Sequence, residues 1–127
     1  MNKFQSRTFQ KSCLHALNGV RLAFRSQRNF RKHLIIALLT FSVAYFLRVD
    51  IIEFCIIIFA NIFVLVVEML NSVIEFTIDA YYKNKWAKLA KLAKDIAAGA
   101  VLLSACSSAL ISLLICGKKI YELYYTF

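Results

Sequence analysis

Proline is absent from this chain, and its 127 residues contain only three glycines, Gly19, Gly99 and Gly117. No Walker A loop and no Gly-rich loop can be assembled from three isolated glycines, so the soluble nucleotide-binding folds that cradle phosphate on such loops are excluded. Acidic residues are scarce as well, and none precedes Asp50. The four cysteines, Cys13, Cys55, Cys106 and Cys116, show neither CxxC nor metal-ligand spacing. Three of them lie in apolar runs, where they read as small packing residues rather than as disulfide or zinc positions. No signal peptide is visible, because the first apolar run begins only at Leu34, after a long charged arm.

What the chain has in abundance is hydrophobic surface: 61% of its residues are apolar. That is one domain's worth of sequence, and too greasy for a soluble domain of this length. The net charge is +9, unevenly placed: eight basic residues lie between Lys3 and Lys32 and five between Lys83 and Lys94. Only Arg48, Lys118 and Lys119 fall elsewhere. Lys and Arg flanking apolar runs are the pattern of cytoplasmic anchoring at a membrane. Nucleic acid is not an expected partner, since no aromatic-interleaved sheet or finger pattern accompanies the charge.

The expected fold is all-α, an integral membrane bundle of three transmembrane helices preceded by an amphipathic surface helix. Residues 4–32 form that helix in this reading, with Phe9, Cys13, Leu17, Val20 and Phe24 making a greasy face and Lys11, Arg21, Arg25 and Arg28 mostly off it. By pattern alone the same helix also fits one packed against the bundle. Arg28 and Arg31 read as headgroup anchors, and His15 and His33 as interfacial residues without a partner signal. A first span covers about 33–48; its uncharged core, Leu34 to Leu47, is short, and snorkelling of Arg31, Lys32 and Arg48 completes it. After a turn at Arg48, Val49 and Asp50, the second span runs over about 51–79. A cytosolic segment, 80–94, carries Tyr81, Tyr82, Lys83, Lys85, Trp86, Lys88, Lys91 and Lys94. The third span, about 95–116, is uncharged from Ile96 to Cys116, and its Ala97, Ala98, Gly99, Ala100, Ser104, Ala105, Ser107 and Ser108 permit close helix approach. With the N-terminus inside, thirteen basic residues face the cytosol and three face out.

The second span is not purely apolar. Glu68, Glu75 and Asp79, spaced seven and four residues apart, fall with Asn71 and Ser72 within roughly 100° of helical arc. Asn61 shares that face. A carboxylate at bilayer depth costs about 2.5–3.5 kcal/mol, so a stripe of them calls for a function. A carboxylate can take a proton from an alcohol, and a second can hold Mg²⁺ together with phosphate oxygens. Nearby lysines can neutralise phosphate charge. The stripe therefore suggests phosphate chemistry on a membrane substrate.

Two stretches carry a resemblance. Glu68-Met-Leu-Asn71-Ser72-Val-Ile-Glu75-Phe-Thr-Ile-Asp79, followed by Ala93-Lys94-Asp95-Ile-Ala-Ala-Gly99-Ala-Val-Leu, resembles the signature of the small prokaryotic diacylglycerol kinase family, which includes undecaprenol kinases. The likeness covers nearly the whole chain, with Asn29-Phe30-Arg31 before the first span included. It implies a multi-pass kinase of the inner (plasma) membrane, N-terminus cytoplasmic, that transfers the ATP γ-phosphate to a membrane lipid alcohol. It also implies a homotrimer with active sites between neighbouring subunits. By motif position, the resemblance makes Glu68 the catalytic base, with Asn71 positioning substrate or phosphate and Ser72 on the substrate side. It makes Glu75 a Mg²⁺ ligand, and Lys94, Asp95 and Asp79 nucleotide contacts. Many relatives carry a glutamate, a second metal ligand, where this chain has Gln27. An amide carbonyl there can still face the nucleotide and touch the metal, without charge. Beside this stands a non-catalytic reading, a helical membrane protein or degenerate relative whose polar stripe only bonds helices together. Asn29-Phe30-Arg31 and the Ala97–Ala100 run look closer to the undecaprenol-kinase branch than to the proteobacterial one.

Overall fold

The computed structural model describes residues 9–83 and 87–126; the expectations for residues 4–8, Lys85 and Trp86 lie outside them. The described residues fold into four α-helices: α1 (Phe9–Ser26), α2 (Arg28–Phe46), α3 (Ile51–Tyr82) and α4 (Lys88–Thr126). The fold is all-α, as the composition requires.

Gln27 breaks what was expected as one helix over 4–32. Its extended backbone (φ −104°, ψ 111°) ends α1 and starts α2, so Arg28, Arg31 and Lys32 belong to the helix that continues into the first apolar run. No glycine or proline marks this elbow, which is why the sequence does not announce it. α1 itself is exposed along its length, and Ala23 is its one buried residue. Its apolar face, including Phe9, Leu17, Val20 and Phe24, is not covered by the bundle.

The α2–α3 hairpin turns through Leu47–Asp50. Arg48 adopts a left-handed conformation (φ 53°), and the N–H groups of Arg48 and Val49 close the turn on the carbonyls of Tyr45 (3.1 Å) and Ala44 (3.3 Å). Beside it sits a buried apolar cluster, a knot joining three helices. Ala44, Ile57 and Cys116, one residue from each of three helices, are buried together under Phe41, Leu47, Val49, Phe54 and Ile115. From this knot the three helices run side by side. α2 buries Phe30, Ala37 and Ala44, a strict seven-residue step. α3 buries Ile57, Ala60, Asn61, Val64, Glu68, Asn71 and Ser72, steps of three and four. On α4 the buried positions are Ala90, Ala97, Ser104, Ser108 and Cys116. Small residues at these positions let α4 lie close on α3, its most extensive neighbour. Of the small residues expected to mediate this approach, Ala98, Ala100 and Ser107 face outward instead.

α3 and α4 are long and apolar enough to cross a membrane, with mean hydropathies of 2.5 and 2.2 in their best windows. Only 28% and 17% of those windows is buried within the chain. A core helix of a soluble protein would be mostly covered, so this greasy surface belongs against lipid or another subunit. α2 is 19 residues long and carries Arg28, Arg31 and Lys32 in its first turns. α4 extends well past the expected 95–116 at both ends. Its 39 residues measure about 58 Å at 1.5 Å per residue, almost twice a bilayer core. Beyond Cys116 the helix continues through Gly117, with no proline after it, and Lys118 pairs with Glu53 at the start of α3 (2.9 Å). Tyr121 and Tyr125 pack ring on ring there at 4.4 Å.

Candidate active site

Antiparallel packing sets which residues share a level. Glu68 lies eleven residues beyond Ile57, His33 eleven before Ala44, and Ala105 eleven before Cys116. Since Ile57, Ala44 and Cys116 meet in the knot, these three residues lie at one level about 16 Å along the bundle. Glu68 is thus enclosed between α2 and α4, and only 2% of it is exposed. His33 and Glu75 are the titratable groups close enough to act on it electrostatically. Among the described residues, nothing donates a hydrogen bond to the Glu68 carboxylate. A buried acid without a partner is costly.

The next turn holds Asn71 and Ser72, both buried. Asn71 Nδ2 donates to Glu75 Oε1 (3.1 Å), while Asn71 Oδ1 is buried with no partner. The amide therefore orients the Glu75 carboxylate with one end and offers an open acceptor with the other. Ser72 Oγ donates to the Glu68 carbonyl (2.9 Å). Its proton is committed to the backbone, which leaves only its lone pairs for a ligand. Asn61 behaves likewise, with Nδ2 on the Ile57 carbonyl (2.9 Å).

One turn further on, the stripe emerges from the bundle. Glu75 and Asp79 are half-buried, and Lys94 Nζ of α4 reaches Asp79 Oδ1 at 2.5 Å. The second part of the motif is thereby brought onto the first, which the spacing in sequence could not show. Asp95, the neighbour of Lys94, is exposed. Gln27 lies seventeen residues before Ala44, on the level of Ile74 and Glu75. The structure thus gathers Glu68, Asn71, Ser72, Glu75, Asp79 and Lys94 along one ribbon at the α3–α4 face, with the α1–α2 elbow at its end.

His33 is the residue that sequence reasoning missed. Its signal was available in principle: a histidine at the start of a span, as far from the hairpin turn as the buried acid on the next span. Arg31, expected at the headgroups, also has a partner within the chain. Its Nη1 donates to the carbonyls of Phe24 (2.9 Å) and Arg25 (3.0 Å) in the last turn of α1.

A groove of about 640 Å³ leaves His33 and runs toward the knot. Leu39 and Val43 line one side, Ala109 and Leu113 the other, with Asn61 and Val64 on the floor.

Fold and site together define an all-α membrane protein with a ribbon of oxygen donors and one ammonium, its innermost carboxylate sealed between helices. The family model for prokaryotic diacylglycerol kinase matches residues 14–116, and the chain belongs to that family. It is similar to an undecaprenol kinase of Bacillus subtilis, 39% identical over 107 residues covering 84% of this chain and 86% of that protein. A diacylglycerol kinase of Synechocystis sp. is 35% identical over 97 residues, 76% of this chain but 55% of its own length. A diacylglycerol kinase of Escherichia coli K12 is 32% identical over 94 residues, covering 74% of this chain and 76% of that protein.

Proposed function

We propose that this protein is an ATP-dependent lipid kinase, transferring the γ-phosphate to the hydroxyl of a membrane lipid alcohol. The observation that carries the reading is Glu68: a carboxylate 2% exposed, unbonded, and facing the groove-lining His33 across the bundle. Its family membership supports the same activity. In the reaction, Glu68 accepts the proton of the acceptor hydroxyl as that oxygen forms its bond to the γ-phosphorus. The bond from phosphorus to the bridging oxygen breaks, and ADP leaves. Asn71 Oδ1, the unpartnered buried acceptor, orients the hydroxyl or the ligand beside it. Lys94, held by Asp79, sets positive charge near the phosphates, and Asp95 lies beside it toward the nucleotide.

Glu75 would hold Mg²⁺ with phosphate oxygens, and Asn71 Oδ1 and the Gln27 side-chain carbonyl would add uncharged oxygen donors, since the ion needs one or two protein carboxylates plus phosphate oxygens. The open Asn71 Oδ1 fits such a use. Bound there, the ion would neutralise phosphate charge. Three spans, α2 with the greater part of α3 and α4, cross the inner (plasma) membrane with the N-terminus in the cytosol, where the basic clusters lie. The uncovered apolar surfaces of α3 and α4 support assembly as a homotrimer. Diacylglycerol and undecaprenol are the acceptor candidates, each named for relatives at over 30% identity.

The decisive experiment is ATP-dependent phosphate labelling of lipid in detergent micelles, with both acceptors side by side. Glu68→Gln abolishes labelling, a loss of about 10³-fold or more for a general base in phosphoryl transfer, with helicity unchanged. Activity retained in that variant removes Glu68 as base, and labelling of neither lipid by the unsubstituted protein removes the kinase reading.

A further inference from the structure

A helix ends with carbonyls that have no partner within it. α1 ends at Ser26, one residue before the extended Gln27, and its last-turn carbonyls face the start of α2. Arg31, on the first turn of α2, fills that gap. One guanidinium nitrogen donates to both the Phe24 and the Arg25 carbonyls, at 2.9 and 3.0 Å. A cation at a helix C-terminus is favoured by the dipole as well as by the hydrogen bonds. Among the described residues, this is the one side chain that hydrogen-bonds from α2 back to α1.

Within the chain, little else fixes α1 in place. Ala23 is its single buried residue, and the backbone tie is the Gln27 N–H on the Ala23 carbonyl (2.9 Å). The elbow lies on the level of Glu75. A change in the angle between α1 and α2 therefore moves Gln27, and the whole basic helix behind it, relative to the ribbon of Glu75, Asp79 and Lys94.

We propose that Arg31 is a positioning residue: its guanidinium clasps the end of α1 and sets the elbow that holds Gln27 and the basic helix over the nucleotide end of the site. This rests on the kinase reading for its functional consequence, but the clasp itself does not. Arg31 acts through Gln27 and α1 and need not touch the phosphates. Losing the clasp raises the cost of organising the site for Mg-nucleotide more than it alters the proton transfer at Glu68. The effect falls on KM for Mg-ATP, with kcat changed less.

Two measurements on the full-length protein in micelles test it. The first is amide hydrogen exchange over residues 22–26, with and without Arg31→Met. The second is the KM against kcat split for Mg-ATP in Arg31→Met and Arg31→Lys. The clasp predicts faster exchange in that last turn of α1, by several-fold, in Arg31→Met, with the spans unaffected. KM for Mg-ATP rises about ten-fold, the size of one lost charge-assisted contact, and kcat changes less than threefold. Arg31→Lys gives an intermediate result, because an ammonium keeps the charge on a shorter arm that cannot bridge both carbonyls as well. Unchanged exchange in Arg31→Met overturns the clasp. Faster exchange with an unchanged KM severs the elbow from the site and overturns the positioning role. Full rescue of both readouts by Arg31→Lys assigns Arg31 to headgroup binding instead. If the unsubstituted protein phosphorylates no lipid, the kinase reading falls, while the exchange measurement still decides whether Arg31 holds the elbow.

Discussion

Glu68 and Asp79 lie eleven residues apart on one helix face, yet they are solvated and paired differently. Glu68 is enclosed and unbonded, whereas Asp79 sits at the edge and is neutralised by Lys94. The Asp79–Lys94 pair is 44% and 35% exposed at its side chains, and pairs of that exposure stabilise a fold by at most about 1 kcal/mol. Lys94→Met is therefore expected to leave the melting temperature of the assembly within a few degrees while cutting lipid phosphorylation by about 10²-fold. Parallel thermal-melt and turnover assays check both halves. A large drop in stability with proportionate loss of activity would make the pair structural. At Gln27 the missing charge has its own consequence. Gln27→Glu adds a carboxylate on the level of Glu75, and the Mg²⁺ concentration for half-maximal turnover is expected to fall several-fold. A magnesium titration in which the two proteins coincide takes Gln27 out of the metal site.

At the scale of elements, the helices are held by small residues at sevenfold steps and ended by conformations their residues do not favour. Arg48 and Lys83 both have positive φ, 53° and 48°, a region that costs a side-chain-bearing residue about 1 kcal/mol and glycine nothing. Lys83 caps α3 in this left-handed form, a position where glycine is the usual occupant. Lys83→Gly and Arg48→Gly are each expected to raise the stability of the folded protein by up to about 1 kcal/mol, less the entropy glycine adds to the unfolded chain. Urea or SDS titration in micelles reads this. A destabilisation at both sites would mean that the lysine and arginine side chains contribute more than their backbones cost. The elbow between α1 and α2 belongs to the same scale: an extended Gln27, with no glycine or proline, is maintained by what surrounds it.

For the whole molecule, the uncovered surface matters most. Exposed Ile52, Phe59, Phe63, Val66 and Leu70 on α3, with Leu102, Leu103, Leu110 and Leu113 on α4, are more apolar area than a lone three-helix hairpin covers. Lipid can cover it, but the kinase reading adds that copies of the chain do so in threes. Native mass spectrometry from micelles is expected to give a trimer. Co-expressed Glu68→Gln and Lys94→Met chains are then expected to regain part of the activity if one site draws residues from two subunits. A monomer active on its own would leave lipid as the sole cover.

Much of this was legible beforehand. Helical periodicity alone put Asn61, Glu68, Asn71 and Ser72 on one face, and those are the polar residues α3 buries. The apolar runs marked α3 and α4 as spans because hydropathy is a property of composition. What escaped were distances between helices. Lys94 and Asp79 are fifteen residues apart in sequence, and their contact depends on how α4 folds back along α3. His33 became a neighbour of Glu68 only through the register of the hairpin. Arg31 meets backbone carbonyls because α1 ends within its reach. α4 runs beyond the span expected over 95–116 because Gly117 alone does not stop it and no proline follows, while the membrane boundary is a matter of polarity.

By itself, then, the order of residues determined that the chain is helical, lipid-bound and acid-striped, because periodicity and hydropathy act within single helices. Only the tertiary structure decided which acid is sealed, which is neutralised and where the first helix points. Those outcomes depend on register and crossing between helices, which no single segment encodes.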